Sequence, residues 1–320
     1  MSMINNSAAI AIRLKRLRDN MEKERLDGVL ITKRENYIYL SGFTGTSAYL
    51  VITSDKAILV TDFRYAEQAA AQATNYEIVE YKGSSLDELG NIVKNNNISR
   101  LGFEETYMTY GDYLKYRDRF SGAEMVPLRS IVEEMRMVKD PHEIETIKKA
   151  VEVADNAFRH ILDFIKPGVT ETELAAELEY NMKKQGATGP SFETIVASGL
   201  RSSMPHGVAS KKTVQMGEAI TFDFGALYDN YCSDMTRTVF LGTPKDELRK
   251  IYDIVLKSQL LAIEGAKAGL MGKDIDAIAR NYIAEQGFKD NFGHGLGHGV
   301  GLEIHEEPRF SPSGNITIKE

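Results

Sequence analysis

Ile220, Phe222 and Phe224 alternate with Thr221, Asp223 and Gly225, a period of two that predicts a half-buried strand. A second strand-like run follows at 231–241, with turn chemistry in Tyr228, Asp229 and Asn230 between them. The pair reads as an antiparallel hairpin. Its two-residue loop is either Tyr228-Asp229 or Asp229-Asn230. The first register sets Asp223 and Asp234 directly opposite one another; the second makes them diagonal neighbours, roughly 7 to 8 Å apart at the backbone. Either way both carboxylates share one face, where like charges repel unless a proton, a base or a cation intervenes.

Along the rest of the chain the period changes repeatedly. Leu14, Leu17, Met21 and Leu26 recur at helical spacing up to Gly28, and 29–32 then reads as a buried strand. Residues 48–53 and 57–61 flank Ser54-Asp55-Lys56 as a hairpin, and an alanine-rich helix is predicted over 65–73. A strand at 76–81, a helix opened by a Ser85/Glu88 capping box and ending near Asn95, and a strand at 99–103 follow. A helix near 110–120 and a strand near 124–127 complete an α/β domain with a mixed sheet. The polar stretch 132–149 reads as a connector, which sets the domains at 1–131 and 132–320.

Asp140 and Pro141 open a long helix to about 165, and Thr170 with Glu173 caps a second that ends before Gly186. Strand and loop elements at 192–198 and 202–206, the hairpin, and helices at 246–268 and 274–285 make the whole an α+β chain.

Three of the six histidines, His294, His298 and His305, fall within FGHGLGHGVGLEIHEEP. Every second residue from Gly293 to Gly301 is glycine, which disfavours a helix and lets backbone or ligand approach closely. The spacing is neither the dinucleotide fingerprint nor a P-loop. On an extended segment His294 and His298 share a face but stand about 13 Å apart at about 3.3 Å per residue. Joint binding of one metal therefore needs a bend, and separate roles are the simpler reading.

Composition narrows the partners. A length of 320 residues allows two domains, and a net charge of -7 with a pI near 5.6 gives no electrostatic footprint for nucleic acid. The single cysteine, Cys232, excludes an intrachain disulfide and points to a reducing compartment. With no secretory leader and no membrane-length apolar run, the expectation is a cytoplasmic protein without nucleic-acid or membrane partners.

The stretches SGLRSSMPHGVAS, TFDFGALYDNYCSDMTRTV and GHGLGHGVGLEIHEEP, in this order, resemble the prolidase and aminopeptidase P branch of the pita-bread metallopeptidases, which carry a creatinase-type N-terminal domain. The resemblance implies an α/β creatinase-like domain followed by a pita-bread domain. It implies that Asp223, Asp234 and His298 ligate a pair of divalent cations, manganese by preference, with cobalt, zinc or iron as alternatives. His206, His294 and His305 would contact the scissile peptide or its tetrahedral intermediate. The resemblance further implies a proline-containing peptide, cleaved after its N-terminal residue, as the substrate class and a homodimer as the assembly. Thr236 and Arg237 have two equal readings, orienting the ligands or packing the strand.

One departure stands out. Family members carry a further segment with two glutamate ligands, one in a Glu-Pro-Gly motif, whereas this sequence stops at Glu320. Glu303, Glu306, Glu307 and Glu320 do not stand in the motifs that carry those two glutamates. The pita-bread domain is thus expected to be incomplete at its C-terminus, the dimetal centre partial, and this form of little or no activity. The rivals are a non-catalytic peptide-binding module on the same fold and a metal-free creatinase-type amidinohydrolase, against which three retained ligands argue.

Overall fold

Strand β1, Gly28–Ile31, is buried along its whole length and is the strand about which the first unit is built in the computed structural model, which describes residues 7–320. It pairs antiparallel with β2 (Tyr49–Thr53) and parallel with β5 (Arg100–Phe103). With β3 (Ala57–Thr61), β4 (Glu77–Glu80) and β6 (Glu124–Pro127) it forms a mixed six-stranded sheet of order β4-β3-β2-β1-β5-β6. Helices α1 (Ser7–Lys23), α2 (Arg34–Ser41), α3 (Ala66–Gln72), α4 (Ser85–Asn95), α5 (Tyr110–Arg119) and α6 (Ile131–Met137) connect and follow these strands. This unit ends at Arg136 and the second is Met137–Glu320.

Three features depart from the sequence pattern. Helix α2 was not expected, because Tyr37, Ile38, Tyr39 and Leu40 are all buried and a helix covered on every side shows no amphipathic period. The cap of α4 is Ser84 rather than Ser85, its hydroxyl accepting from the Asp87 amide at 3.3 Å. Residues 131–137 are not a connector: Val132, Met135 and Arg136 are buried in α6. The polar appearance misled because Arg136 is paired inside, donating to Asn36 Oδ1 at 2.7 Å.

In the second unit α7 (Pro141–Leu162) and α8 (Glu171–Lys184) open on the expected capping boxes, Asp140 with Glu143 and Thr170 with Glu173. Their apolar faces, Val153, Ala157 and Ile161 from one and Leu174, Leu178 and Met182 from the other, share one core with Ile220, Phe222 and Phe224 of β9 (Ala219–Phe224). Burial of each such side chain stabilises by about 1.5–3 kcal/mol. The alternate residues of β9, Thr221 and Asp223, belong to its other face. Strand β9 is the centre of a three-stranded sheet between β8 (Ile195–Ser198) and β12 (Met235–Phe240).

A second small sheet joins β7 (Gly189–Pro190), β10 (Ala226–Tyr228) and β11 (Tyr231–Cys232). Tyr228 faces Tyr231, and Asp229 and Asn230 both have positive φ, 47° and 67°. That is the two-residue turn whose twist suits a hairpin, and it selects the diagonal register. Helices α9 (Asp246–Gly265) and α10 (Gly272–Glu285) pack together before a last ribbon, β13 (Gly297–Gly299) with β14 (Glu306–Phe310). Among the described residues no helix is long and apolar enough to cross a membrane.

Candidate metal centre

The hairpin changes sheets where its acids lie. Pairing of β9 with β12 ends at Phe224 and Met235, and pairing of β10 with β11 begins at Leu227 and Cys232. Gly225 sits in the gap, where a Cβ would run into the Ser233 carbonyl oxygen. Ser233 is fixed on several sides: its carbonyl accepts from Ser191 Oγ at 2.7 Å, and its hydroxyl accepts from the Ala226 amide at 2.9 Å and donates to the Ala150 carbonyl at 3.1 Å. The next residue, Asp234, is thereby held at the break in the ladder.

Asp223 stands opposite Thr236, whose hydroxyl donates to Asp223 Oδ1 at 2.9 Å. His298, in the middle of β13, places Nε2 at 3.4 Å from Asp234 Oδ2. Its other nitrogen, Nδ1, lies 3.0 Å from the Gly299 carbonyl, so Nε2 is the nitrogen left to face the acids. Side chains at 21 and 28 % exposure leave His298 and Asp234 reachable by a ligand while mostly enclosed. Gly299 has no room for a side chain, since a Cβ would meet the Glu307 carbonyl. Glycine there lets β14 come close.

The charges are under-compensated. Burial, joined by the Asp234 charge, pushes the Asp223 carboxyl above its ordinary range, against the pull of the Thr236 hydrogen bond and of His206 and His298. Burial likewise raises Asp234, with His298 pulling it back. The ring of His305 packs against that of His298 with centroids 4.3 Å apart. Burial, and then the charges of His298 and Arg309, hold the His305 imidazole below its ordinary range, with Asp223 opposing.

Five of the six residues singled out from the sequence, Asp223, Asp234, His206, His298 and His305, therefore act on one another. His294 differs. Its Nδ1 lies 2.6 Å from the Gly295 carbonyl and its ring packs edge-on to Phe292, so the ring engages its own loop rather than the carboxylates. Arg237 donates to the Thr236 carbonyl at 2.8 Å and not to either acid.

The structural roles of two glutamates escaped the sequence reading. Glu171, fully buried at the start of α8, accepts from the amide and hydroxyl of both Ser198 and Ser210 and from Arg201 Nε at 3.0 Å. It thereby clamps both ends of the loop that carries His206. The signal was the cluster of donors Ser198, Arg201 and Ser210 within the first motif. Glu306, buried, pairs with Lys139 at 2.8 Å and accepts from the Glu303 amide at 3.1 Å, fixing the turn that carries His305.

Hard carboxylate oxygens with one imidazole nitrogen suit a first-row divalent cation, and two acids whose carboxyls are raised chiefly by burial are the electrostatic arrangement such a cation relieves. No three His, Cys, Asp or Glu side chains among the described residues close into a finished cage. Within the site, His298 Nε2 lies 3.4 Å from Asp234 Oδ2. The donor set fits a metal whose remaining positions are filled by other ligands.

Residues 145–320 match the model of metallopeptidase family M24, and residues 13–138 that of the creatinase/prolidase N-terminal domain. The chain belongs to metallopeptidase family M24. Uncharacterized peptidase YqhT of Bacillus subtilis is 48% identical over 300 residues, 94% of this chain and 85% of that protein. An Xaa-Pro dipeptidase of Pyrococcus furiosus is 40% identical over 310 residues, 96% of this chain and 87% of its own. The solved Xaa-Pro dipeptidase from Bacillus anthracis matches with a TM-score of 0.94 at 46% identity, covering 97% of this chain and 87% of that one. The expected M24 architecture, a creatinase-like α/β unit followed by a pita-bread unit, is the one observed, and an M24 metallopeptidase works with divalent metal ions.

Thr236 gives a first test of this centre. Thr236→Val removes the hydroxyl that holds Asp223, and loss of such an outer contact is expected to weaken metal binding about 10–100-fold. Titration calorimetry with Mn²⁺ measures it, circular dichroism being expected to stay unchanged.

Proposed function

We propose that this chain is a metal-dependent hydrolase of the Xaa-Pro bond at the N-terminus of dipeptides or short peptides. The observation that carries the reading is the approach of His298 Nε2 to Asp234 Oδ2 beside Asp223, in a chain whose M24 relatives include Xaa-Pro dipeptidases. Asp223, Asp234 and His298 hold the metal, manganese being the first candidate and a pair of ions the full complement. When bound, the metal supplies a water acidic enough to act as hydroxide near neutral pH and polarises the peptide carbonyl.

The other residues orient the substrate. His206, on the loop clamped by Glu171, and His305, whose imidazole is held below its ordinary range chiefly by burial, line the carboxylate face and supply hydrogen bonds to the scissile peptide. His294 does so from the glycine-rich loop. A proline nitrogen carries no N–H and its ring fixes φ. A site for Xaa-Pro therefore recognises ring shape and carbonyl rather than an amide donor. A homodimer is the proposed assembly.

Two carboxylates and one imidazole leave most coordination positions to water, so we infer that these 320 residues hold metal weakly and turn over slowly. Plasma mass spectrometry after gel filtration tests this, and two tightly held ions per chain would overturn it. The activity itself is tested by following release of the N-terminal residue from an Xaa-Pro and an Xaa-Ala dipeptide, with excess Mn²⁺ and after chelation. Chelator-sensitive cleavage of Xaa-Pro alone is expected. Cleavage that survives chelation, or that ignores proline, sinks the assignment.

A further inference from the structure

Helix α10 bears a partly buried ion pair that reaches into the glycine-rich loop. Asp276, 1% exposed, and Arg280 are one helical turn apart and pair through two contacts, Nε to Oδ2 at 2.7 Å and Nη2 to Oδ1 at 2.9 Å. Each partner also holds the loop. Arg280 Nη1 donates to the Phe292 carbonyl and Nη2 to the His294 carbonyl, both at 2.7 Å. Asp276 Oδ1 accepts from the Leu296 amide at 3.0 Å. The guanidinium also lies over the Phe292 ring, 4.4 Å from its centroid, and that ring is the one against which His294 packs.

We propose that Asp276 and Arg280 are positioning residues, which fix the backbone at 292, 294 and 296 and so set where the His294 imidazole stands and where β13 begins. A loop with glycine at every second position has little stiffness of its own. A planar guanidinium, with several donors in a fixed fork, supplies it. Lysine cannot reproduce this, since a single ammonium has no fork with which to keep Asp276 and span both carbonyls. The inference rests on the Xaa-Pro hydrolase reading for its kinetic consequence and not for its structural one.

The test compares Arg280→Lys with Arg249→Lys, which alters an exposed ion pair of the same i,i+4 kind on α9. In metal-free protein, Arg280→Lys is expected to speed amide hydrogen exchange across 292–296, read at the Leu296 amide, while α10 and the rest of the unit exchange as before. In metal-loaded protein it should keep its metal and lower kcat about 10–100-fold, the range of outer-contact losses, with KM little changed. Arg249→Lys should do neither. Should Arg280→Lys fail to fold, Phe292→Leu, which removes the ring under the guanidinium, gives the same two readouts. Wild-type exchange at 292–296 together with wild-type kcat overturns the proposal, as does a loss of protection spread over the whole unit. If the parent chain cleaves no Xaa-Pro substrate, the hydrolase reading fails while the exchange experiment still decides the clamp.

Discussion

Asp234→Ala is expected to lose metal binding altogether, while His294→Ala keeps the metal and loses turnover. Asp234 is the carboxylate nearest His298, and without it one acid and one imidazole remain. The fall in affinity should exceed the roughly 10–100-fold seen when an outer contact is removed, since on the proposed assignment Asp234 is itself a ligand. Activity that depends on the metal falls with it. His294 touches Gly295 and Phe292 rather than the acids, so its removal leaves the donor set intact. If it supplies a hydrogen bond to the developing oxyanion, kcat should drop about 10²–10³-fold. Metal content by plasma mass spectrometry, with steady-state kinetics on the same samples, separates the two variants. Equal loss of metal in both would mean that the histidine roles are wrongly assigned.

How much of this was readable beforehand follows from the range of the interactions. The period of two in β9 was legible because Ile220, Phe222 and Phe224 go to one core and the polar residues between them do not. The register of the hairpin was not, since both loops satisfied the alternation; positive φ at Asp229 and Asn230 decided it. Helix α2 left no period because it is covered all round. In the site, the motifs pointed to acids and imidazoles but not to what holds them in place. Glu171 is 27 residues from Ser198 and 39 from Ser210, and Lys139 is 167 from Glu306. A local pattern can show a cluster of donors, as Ser198, Arg201 and Ser210 do, but not the distant residue they meet. Asp276 and Arg280 are an ordinary i,i+4 pair on a helix until the loop they grip is seen.

Glu171→Gln is expected to destabilise the second unit by about 3–5 kcal/mol, the cost of removing one partner from a buried charged pair, and to disorder the His206 loop. Glutamine keeps one acceptor oxygen, but its NH₂ meets donors where the carboxylate accepted, so at least one side of the Ser198, Ser210 and Arg201 set is left unpaired. The dependence on pH has a definite sign. Burial alone would raise the Glu171 carboxyl, yet hydrogen bonds from Ser210 and Ser198 outweigh it and hold the group below the ordinary glutamate value of 4.5. A carboxyl lowered on folding binds fewer protons in the folded than in the unfolded state, so its contribution rises with pH across that window. The advantage of the parent chain over the variant should thus be complete above about pH 4.5 and shrink as the pH falls through the lowered folded value. Urea unfolding of both proteins at a series of pH values measures this gap. A gap that widened on acidification would show that Glu171 is held neutral in the fold and does not clamp the loop as a charged acceptor.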